Sequence, residues 1–256
     1  MTPLAFLGDF GSAIEFLFVS RESQTGGVQI GGREIWLEML PRHLLLSGVA
    51  IAVACVVSIP ISLWLGHIRK GRFIATTVAN TGRAVPSFAL IALFVAFLGV
   101  GFTNVALALV LLAIPPILTN TYVGVVQVDR ETVDAARGMG MTGAQIVRKV
   151  ELPMALPLIF GGLRISAVNV VATATIAPIA GYVTLGNPII NAQVYDTAGR
   201  LGAAIAVALL AVGADFLFGW LQRAVTPRGL QLAQPRRRSF LRRIVSSTQR
   251  EVPTTP

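Results

Sequence analysis

Between residues 44 and 66 the chain runs for 23 residues without a charge or a histidine, and between 84 and 128 for 45 residues without a charge. A helix needs roughly 20 apolar residues to cross the hydrocarbon core of a bilayer. The second run therefore holds two crossings, with residues 99–104 (GVGFTN) as the turn between them. Residues 165–195 form a fourth uncharged run, whose helix starts earlier, near Pro157. Residues 201–222 form a fifth, interrupted only by Asp215. The composition leaves little room for another solvent. The chain is 54% hydrophobic and 13% charged, whereas a soluble domain carries about 25% charged residues. Hydrocarbon admits only segments that satisfy their own backbone. The expected fold class is all-α: a polytopic membrane protein with about five transmembrane helices, near 44–66, 76–98, 104–127, 157–180 and 201–222.

The net charge of +9 raises nucleic acid as a partner,. Its placement argues against that. Arg69, Lys70 and Arg72 follow the first span; Arg130, Arg137, Arg148 and Lys149 lie between the third and fourth; eight arginines lie from Arg223 onward. These fifteen fall on one side of the five-span arrangement, against Arg21, Arg33, Arg42 and Arg200 on the other. Arg83 and Arg164 lie near the basic side. The basic side is the cytoplasmic one, so residues 1–42 lie outside and the tail 223–256 inside. Residues 1–20 contain Asp9 and Glu15 and lack a basic start, which suits a helix lying on the outer leaflet better than a signal peptide or a span. Residues 26–32 (GGVQIGG) read as a flexible connector. The Arg-rich tail reads as disordered and attracted to anionic lipid headgroups.

Little in the chain suggests chemistry of its own. Cys55 stands alone in an apolar run, so an intrachain disulfide and a paired-cysteine metal site are excluded. His43 and His67 sit at opposite ends of the first apolar run, too far apart to share a metal, and read as interface residues. No catalytic or metal site is expected. The lysines Lys70 and Lys149 lie in HIRKGR and IVRKVE, so there is no phosphate-cradling GxxxxGK[ST] loop. Any nucleotide chemistry falls to another subunit.

The most informative stretch is the hydrophilic island between spans three and four, VDRETVDAARGMGMTGAQIVRKVELP. Acids come early, Gly138 and Gly140 break the helix, and a second helix starts with Thr142 as its N-cap and stops near Pro153. Two short helices joined by a glycine elbow make a docking surface. Asp134-Ala135-Ala136, three residues, Gly140, nine residues, then Val150, Glu151, Leu152 and Pro153 resembles the EAA loop of importer-type ABC permeases. Asp134 stands for the usual Glu and Val150 for Ile. The stretches AARGMGMTGAQIVRKVELPMALPLIFGGLR, PPILTNTYVGV and VVATATIAPIAG are similar to permeases for glycine betaine, carnitine, choline and proline, over roughly residues 44–222.

The resemblance implies an importer-type ABC permease fold in the inner membrane of a prokaryote, with a coupling loop at 129–153. It implies an ATPase dimer that binds ATP and Mg, a second permease copy or a sister permease, and an extracytoplasmic substrate-binding protein. Asp134, Ala135, Ala136, Gly140, Val150, Leu152 and Pro153 would couple to the ATPase. The competing class is a stand-alone secondary transporter or channel. It would need buried acids at broken helices, and the spans hold one acid, Asp215.

Polar or helix-breaking residues in the spans give candidate path-lining positions: Pro86, Ser87, Asn120, Asn169, Thr173 and Thr175. Each polar one also fits as interhelical glue. Arg164 and Asp215 lie at matched depth in spans four and five and suggest each other as an intramembrane ion pair. The charge asymmetry yields a first test. In a Cys55→Ser background, a cysteine near Gln24 is expected to react with a membrane-impermeant thiol reagent in intact cells, and one near Ser247 is not. The reverse pattern overturns the five-span topology.

Overall fold

The computed structural model describes residues 3–226; the tail beyond it, and most of the tail arginines, lie outside the described residues. The chain is mostly helix. In order, the helices are α1 (Pro3–Phe18), α2 (Ile35–His67), α3 (Arg72–Ala84), α4 (Ser87–Leu98), α5 (Phe102–Val126), α6 (Arg130–Gly138), α7 (Gly143–Ala180), α8 (Asn187–Ile190) and α9 (Thr197–Val225). Four of these, α2, α5, α7 and α9, are long and apolar enough to cross a membrane, and α3 with α4, bent by 88° at the break between them, reach that length only as a pair, as one broken span or as a re-entrant loop.

The expected span at 76–98 is thus two helices meeting at an angle. The cause is local. Pro86 disfavours helical backbone at the residue before it, and Val85 is extended, with φ −80° and ψ 118°. The turn expected at 99–104 forms over residues 99–101, since α5 already starts at Phe102. Gly99 and Gly101 take φ values of +76° and +130°, a region that side chains rarely tolerate.

The core lies where α5 meets its neighbours. Leu46, Ala50 and Ala54 of α2, Leu109, Ala113 and Ile117 of α5, and Ile159, Leu163 and Val170 of α7 belong to one buried cluster. Each set repeats at four or seven residues, the spacing of one helix face. Many members are alanine, which lets backbones approach closely, as helix packing in lipid requires. At the α5–α7 crossing a Cβ on Gly162 would stand 2.7 Å from the Pro116 carbonyl oxygen. Polar ties cross the same layer: the Ser166 hydroxyl donates to the Ala113 carbonyl at 2.9 Å, and His43 Nε2 donates to the Val171 carbonyl at 3.0 Å.

One expectation, the flexible connector, gives way at the N-terminal end. Residues 26–32 are part of a hairpin, β1 (Ser20–Glu22) paired antiparallel with β2 (Gln29–Gly31), in which Arg21 faces Ile30. Gly26 and Gly27, at φ +77° and +75°, close the turn, and the Glu22 carboxylate accepts from the Gly27 amide at 3.0 Å. Helix α1 is docked on protein: Ala13 and Phe16 lie against Gly202 and Gly199 of α9, while Phe10, Ile14 and Phe18 are exposed on its other side. Glu34 ties this unit to the loop before α9, accepting from the Tyr195 hydroxyl at 2.7 Å. Burial first, then the Glu34 carboxylate beside it, pushes the Tyr195 phenol well up, so it stays a donor. Arg21 pairs with Asp196 next to it.

The α5–α7 crossing gives a stability test. Gly162→Val is expected to lose about 1–3 kcal/mol by overpacking, read as a lower unfolding midpoint of the purified protein. Gly161→Val serves as the control, because nothing lies within 4 Å of its Cβ position. Equal midpoints for the two variants would contradict this packing.

Candidate functional site

The island between α5 and α7 folds into the expected elbow. Asp129 caps α6, its carboxylate accepting from the Glu131 amide at 3.2 Å. Gly140 turns the chain at φ +80°. No atom lies within 4 Å of its Cβ position, so the constraint there is backbone conformation and not space. Thr142 then caps α7 in a reciprocal box: its hydroxyl accepts from the Gln145 amide at 3.4 Å, and the Gln145 side chain accepts from the Thr142 amide at 2.8 Å,. A small apolar cluster of Val128, Val133, Ala136 and Ile146, with Met141, Val150 and Met154 against it, holds the two arms together.

The elbow presents its rim outward. Asp134, Ala135 and Gly140 are exposed, as is Met139 at the tip at 72%. Ala136 is buried inside the elbow, while Val150, Leu152 and Pro153 are half-buried at its base. Asp134 and Arg137 form a 3.6 Å surface ion pair, a contact worth little to stability.

One expectation fails here. The second arm does not stop at Pro153; α7 runs unbroken from Gly143 to Ala180, so the fourth crossing begins well before Pro157. Inside a helix a proline ring collides with the carbonyl four residues back. The chain avoids this with a wide π turn over Val147–Glu151, which places Pro153 in the first turn of the α-helical stretch Leu152–Thr173,. The second arm of the elbow and the crossing helix are therefore continuous.

The candidate path residues separate. Asn120 and Asn169 line one cavity of about 300 Å³ between α3, α5 and α7, with Gly82, Pro115, Pro116 and Thr119. The Thr119 hydroxyl is buried there and has no partner among the described residues. Asn120 donates to the Pro116 carbonyl at 2.8 Å. Pro86, Ser87, Thr173 and Thr175 do not line this cavity; Pro86 and Ser87 start α4, and Thr175 bonds its own helix at the Ala172 carbonyl.

Asn169 also borders a second cavity, of about 510 Å³, with Arg164, Asp215 and Gln222. Arg164 donates through Nε and Nη2 to the two carboxylate oxygens of Asp215, a bidentate pair joining α7 to α9,. Gln222 adds a 2.8 Å bond to the Pro157 carbonyl.

Sequence reasoning named His67 and Glu151 separately and did not join them. The buried carboxylate of Glu151, 2% exposed, accepts from His67 Nδ1 at 2.8 Å. Glu151 occupies the variable position of the loop pattern, and His67 lies far away in the chain, so no local signal joins them.

The matching family model, described as a binding-protein-dependent transport system inner membrane component, covers residues 58–229. The chain belongs to that family. It is a multi-pass membrane protein and the permease component of an importer. Among curated relatives, the glycine betaine/carnitine/choline transport system permease protein OpuCB of Bacillus subtilis (strain 168) is 34% identical over 205 residues, 80% of this chain and 94% of that protein. The carnitine transport permease protein OpuCB of Listeria monocytogenes is 37% identical over 194 residues, 75% and 89% of the two chains. The osmoprotectant import permease protein OsmY of Salmonella typhimurium (strain LT2) is 34% identical over 189 residues, 73% and 80%. Among solved structures, an inward-facing MetNI methionine ABC transporter chain superposes with a TM-score of 0.66 at 23% identity, covering 75% of this chain and 97% of that one. The fold is that of an importer-type ABC permease.

The α7–α9 pair gives a test of its own. Arg164→Asp and Asp215→Arg are each expected to lower uptake or accumulation of the protein, and the double reversal to regain part of the loss. A double variant as poor as the combined singles would mean that the pair contributes nothing.

Proposed function

We propose that this permease carries a small compatible solute of the glycine betaine, choline, carnitine or proline kind into the cytoplasm of a prokaryote. It works with an ATPase dimer that binds ATP and Mg, an extracytoplasmic substrate-binding protein that delivers the solute, and a second permease copy or a sister permease. The chain itself holds no nucleotide. Its N-terminus faces outward and its tail inward across the inner membrane.

The observation that carries this reading is the elbow. A loop that only joined α5 to α7 could be a few residues long. This one spends two capped helical arms and a left-handed glycine on an exposed rim continuous with a crossing helix. Asp134, Ala135 and Gly140 form the part that meets the ATPase, with Ala136 packed beneath them inside the elbow; Val150, Leu152 and Pro153 form the part that turns into α7. The solute class is supported by the relatives that carry betaine, carnitine or choline in their names. Asn120 and Asn169 are the path positions best supported by the cavity they share.

Gly140→Asp separates docking from folding. Aspartate tolerates the left-handed region better than most residues, so the elbow should still form and the protein insert. The added bulk and charge face the docking partner. Uptake of labelled glycine betaine, choline, carnitine and proline is expected to fall to background, with loss of ATPase co-purification. Normal uptake of any of the four by this variant would sink the assignment of the elbow.

A further inference from the structure

The cytoplasmic end of α2 touches both feet of the elbow. We propose that it acts as a clasp, with His67 and Glu151 as positioning residues that carry elbow movement into the first crossing helix. The proposal rests on the reading of the elbow as the ATPase-coupling loop.

The exit foot is held by His67. Glu151 lies in the π turn of α7, next to the exposed Arg148 and Lys149, yet its side chain is 2% exposed. A carboxylate buried without a partner is unfavourable. The partner it has is His67 Nδ1, at 2.8 Å, on the last residue of α2. The other ring nitrogen, Nε2, would stand 3.2 Å from a Cβ on Gly143, so the imidazole fills the space between the first turn of α7 and its π turn.

The entry foot is held by Arg69. It is the one non-glycine residue with positive φ among the described residues, at +53°. That conformation is unfavourable for a side chain, and here it ends α2 so that the guanidinium donates to the Val128 carbonyl at 2.9 Å. Gly66 completes the contact, since a Cβ there would lie 2.7 Å from Val125.

An elbow gripped at both feet cannot rock about them alone. Separating Glu151 from His67 would leave a buried acceptor without a donor, so a push on the elbow moves α2 with it. Helix α2 packs along α5 and α7, the helices that bound the cavity with Asn120 and Asn169. Without the clasp, the ATPase still docks and hydrolyses, but less of that movement reaches the path.

The test uses the whole importer in proteoliposomes, with its ATPase and binding protein. The probe is whichever of glycine betaine, choline and carnitine the wild type takes up fastest. Glu151→Gln keeps the shape of the side chain, and His67→Ala removes the donor. Each is expected to lower uptake about tenfold, within the usual span of coupling effects, while the ATPase stays bound and hydrolysis changes little. ATP hydrolysed per solute rises. The double variant should be no worse than the poorer single, and His67→Asn, which retains a donor, should recover part of the coupling. If a Glu151 variant does not accumulate, the His67→Ala and His67→Asn pair decides by the same ratio. Unchanged uptake, or uptake and hydrolysis falling together at constant ratio, overturns the clasp. Failure of the wild-type elbow to retain an ATPase would instead overturn the coupling reading itself.

Discussion

Hydrocarbon offers no hydrogen bond to a peptide group, and the rest of this structure follows from that. Each crossing must satisfy its backbone internally, so the long uncharged runs become helices. With apolar surface on every side, burial against lipid-like neighbours gives little direction to packing. Shape and small residues decide instead. Helix α5 shows the result. It packs against α2, α3, α4 and α7, and its buried face carries Ala106, Ala108 and Ala113 between larger residues.

Under the same constraint, departures from regular helix are costly and therefore informative. The chain breaks its helical backbone within or beside the crossings at few places. Pro86 bends α3 against α4; the pair Pro115 and Pro116 interrupts donors in α5; the last stretch of α7, Ala174–Ala180, tightens to a 3-10 helix. Gly82 of α3 sits against Pro115, and both border the cavity that holds Asn120 and Asn169. Of these irregularities, the Pro115–Pro116 pair borders that space, where freed polar groups have something other than lipid to face.

What was legible in the sequence was local. The crossings, the turn with Gly99 and Gly101, the Thr142 cap and the elbow follow from hydropathy, glycine and capping rules that act within a few residues. Matched depth along two helices was enough to suggest Arg164 with Asp215, because a charge in a span restricts its options. The hairpin Ser20–Glu22 with Gln29–Gly31 was missed because three-residue strands carry almost no periodicity. The path of α7 through Pro153 was missed because a π turn has no sequence rule as firm as the one against proline inside a helix. His67 and Glu151 could not be joined from sequence at all: each is unremarkable where it stands, and only the folding of α7 beside α2 makes them neighbours.

The distribution of polar contacts bears on how such a path can select. Several lie at the two ends of the bundle. At one end, Glu34 with Tyr195 and Arg21 with Asp196 tie the N-terminal unit to the loop before α9. At the other, His67 meets Glu151 and Arg69 meets the Val128 carbonyl, both beside the elbow. Between them the described cavities offer amides, a hydroxyl and one acid, and that acid, Asp215, is already engaged by Arg164. Conduction requires binding strong enough to admit a solute and weak enough to release it. A fixed, unpaired carboxylate would hold an onium group at each passage and slow its exit. Asn120, Asn169 and Thr119 are dipoles, which soften the loss of water without fixing a charge. As the path we propose, a lining of this kind favours throughput over discrimination, and it would leave the choice of solute to the partner that delivers it.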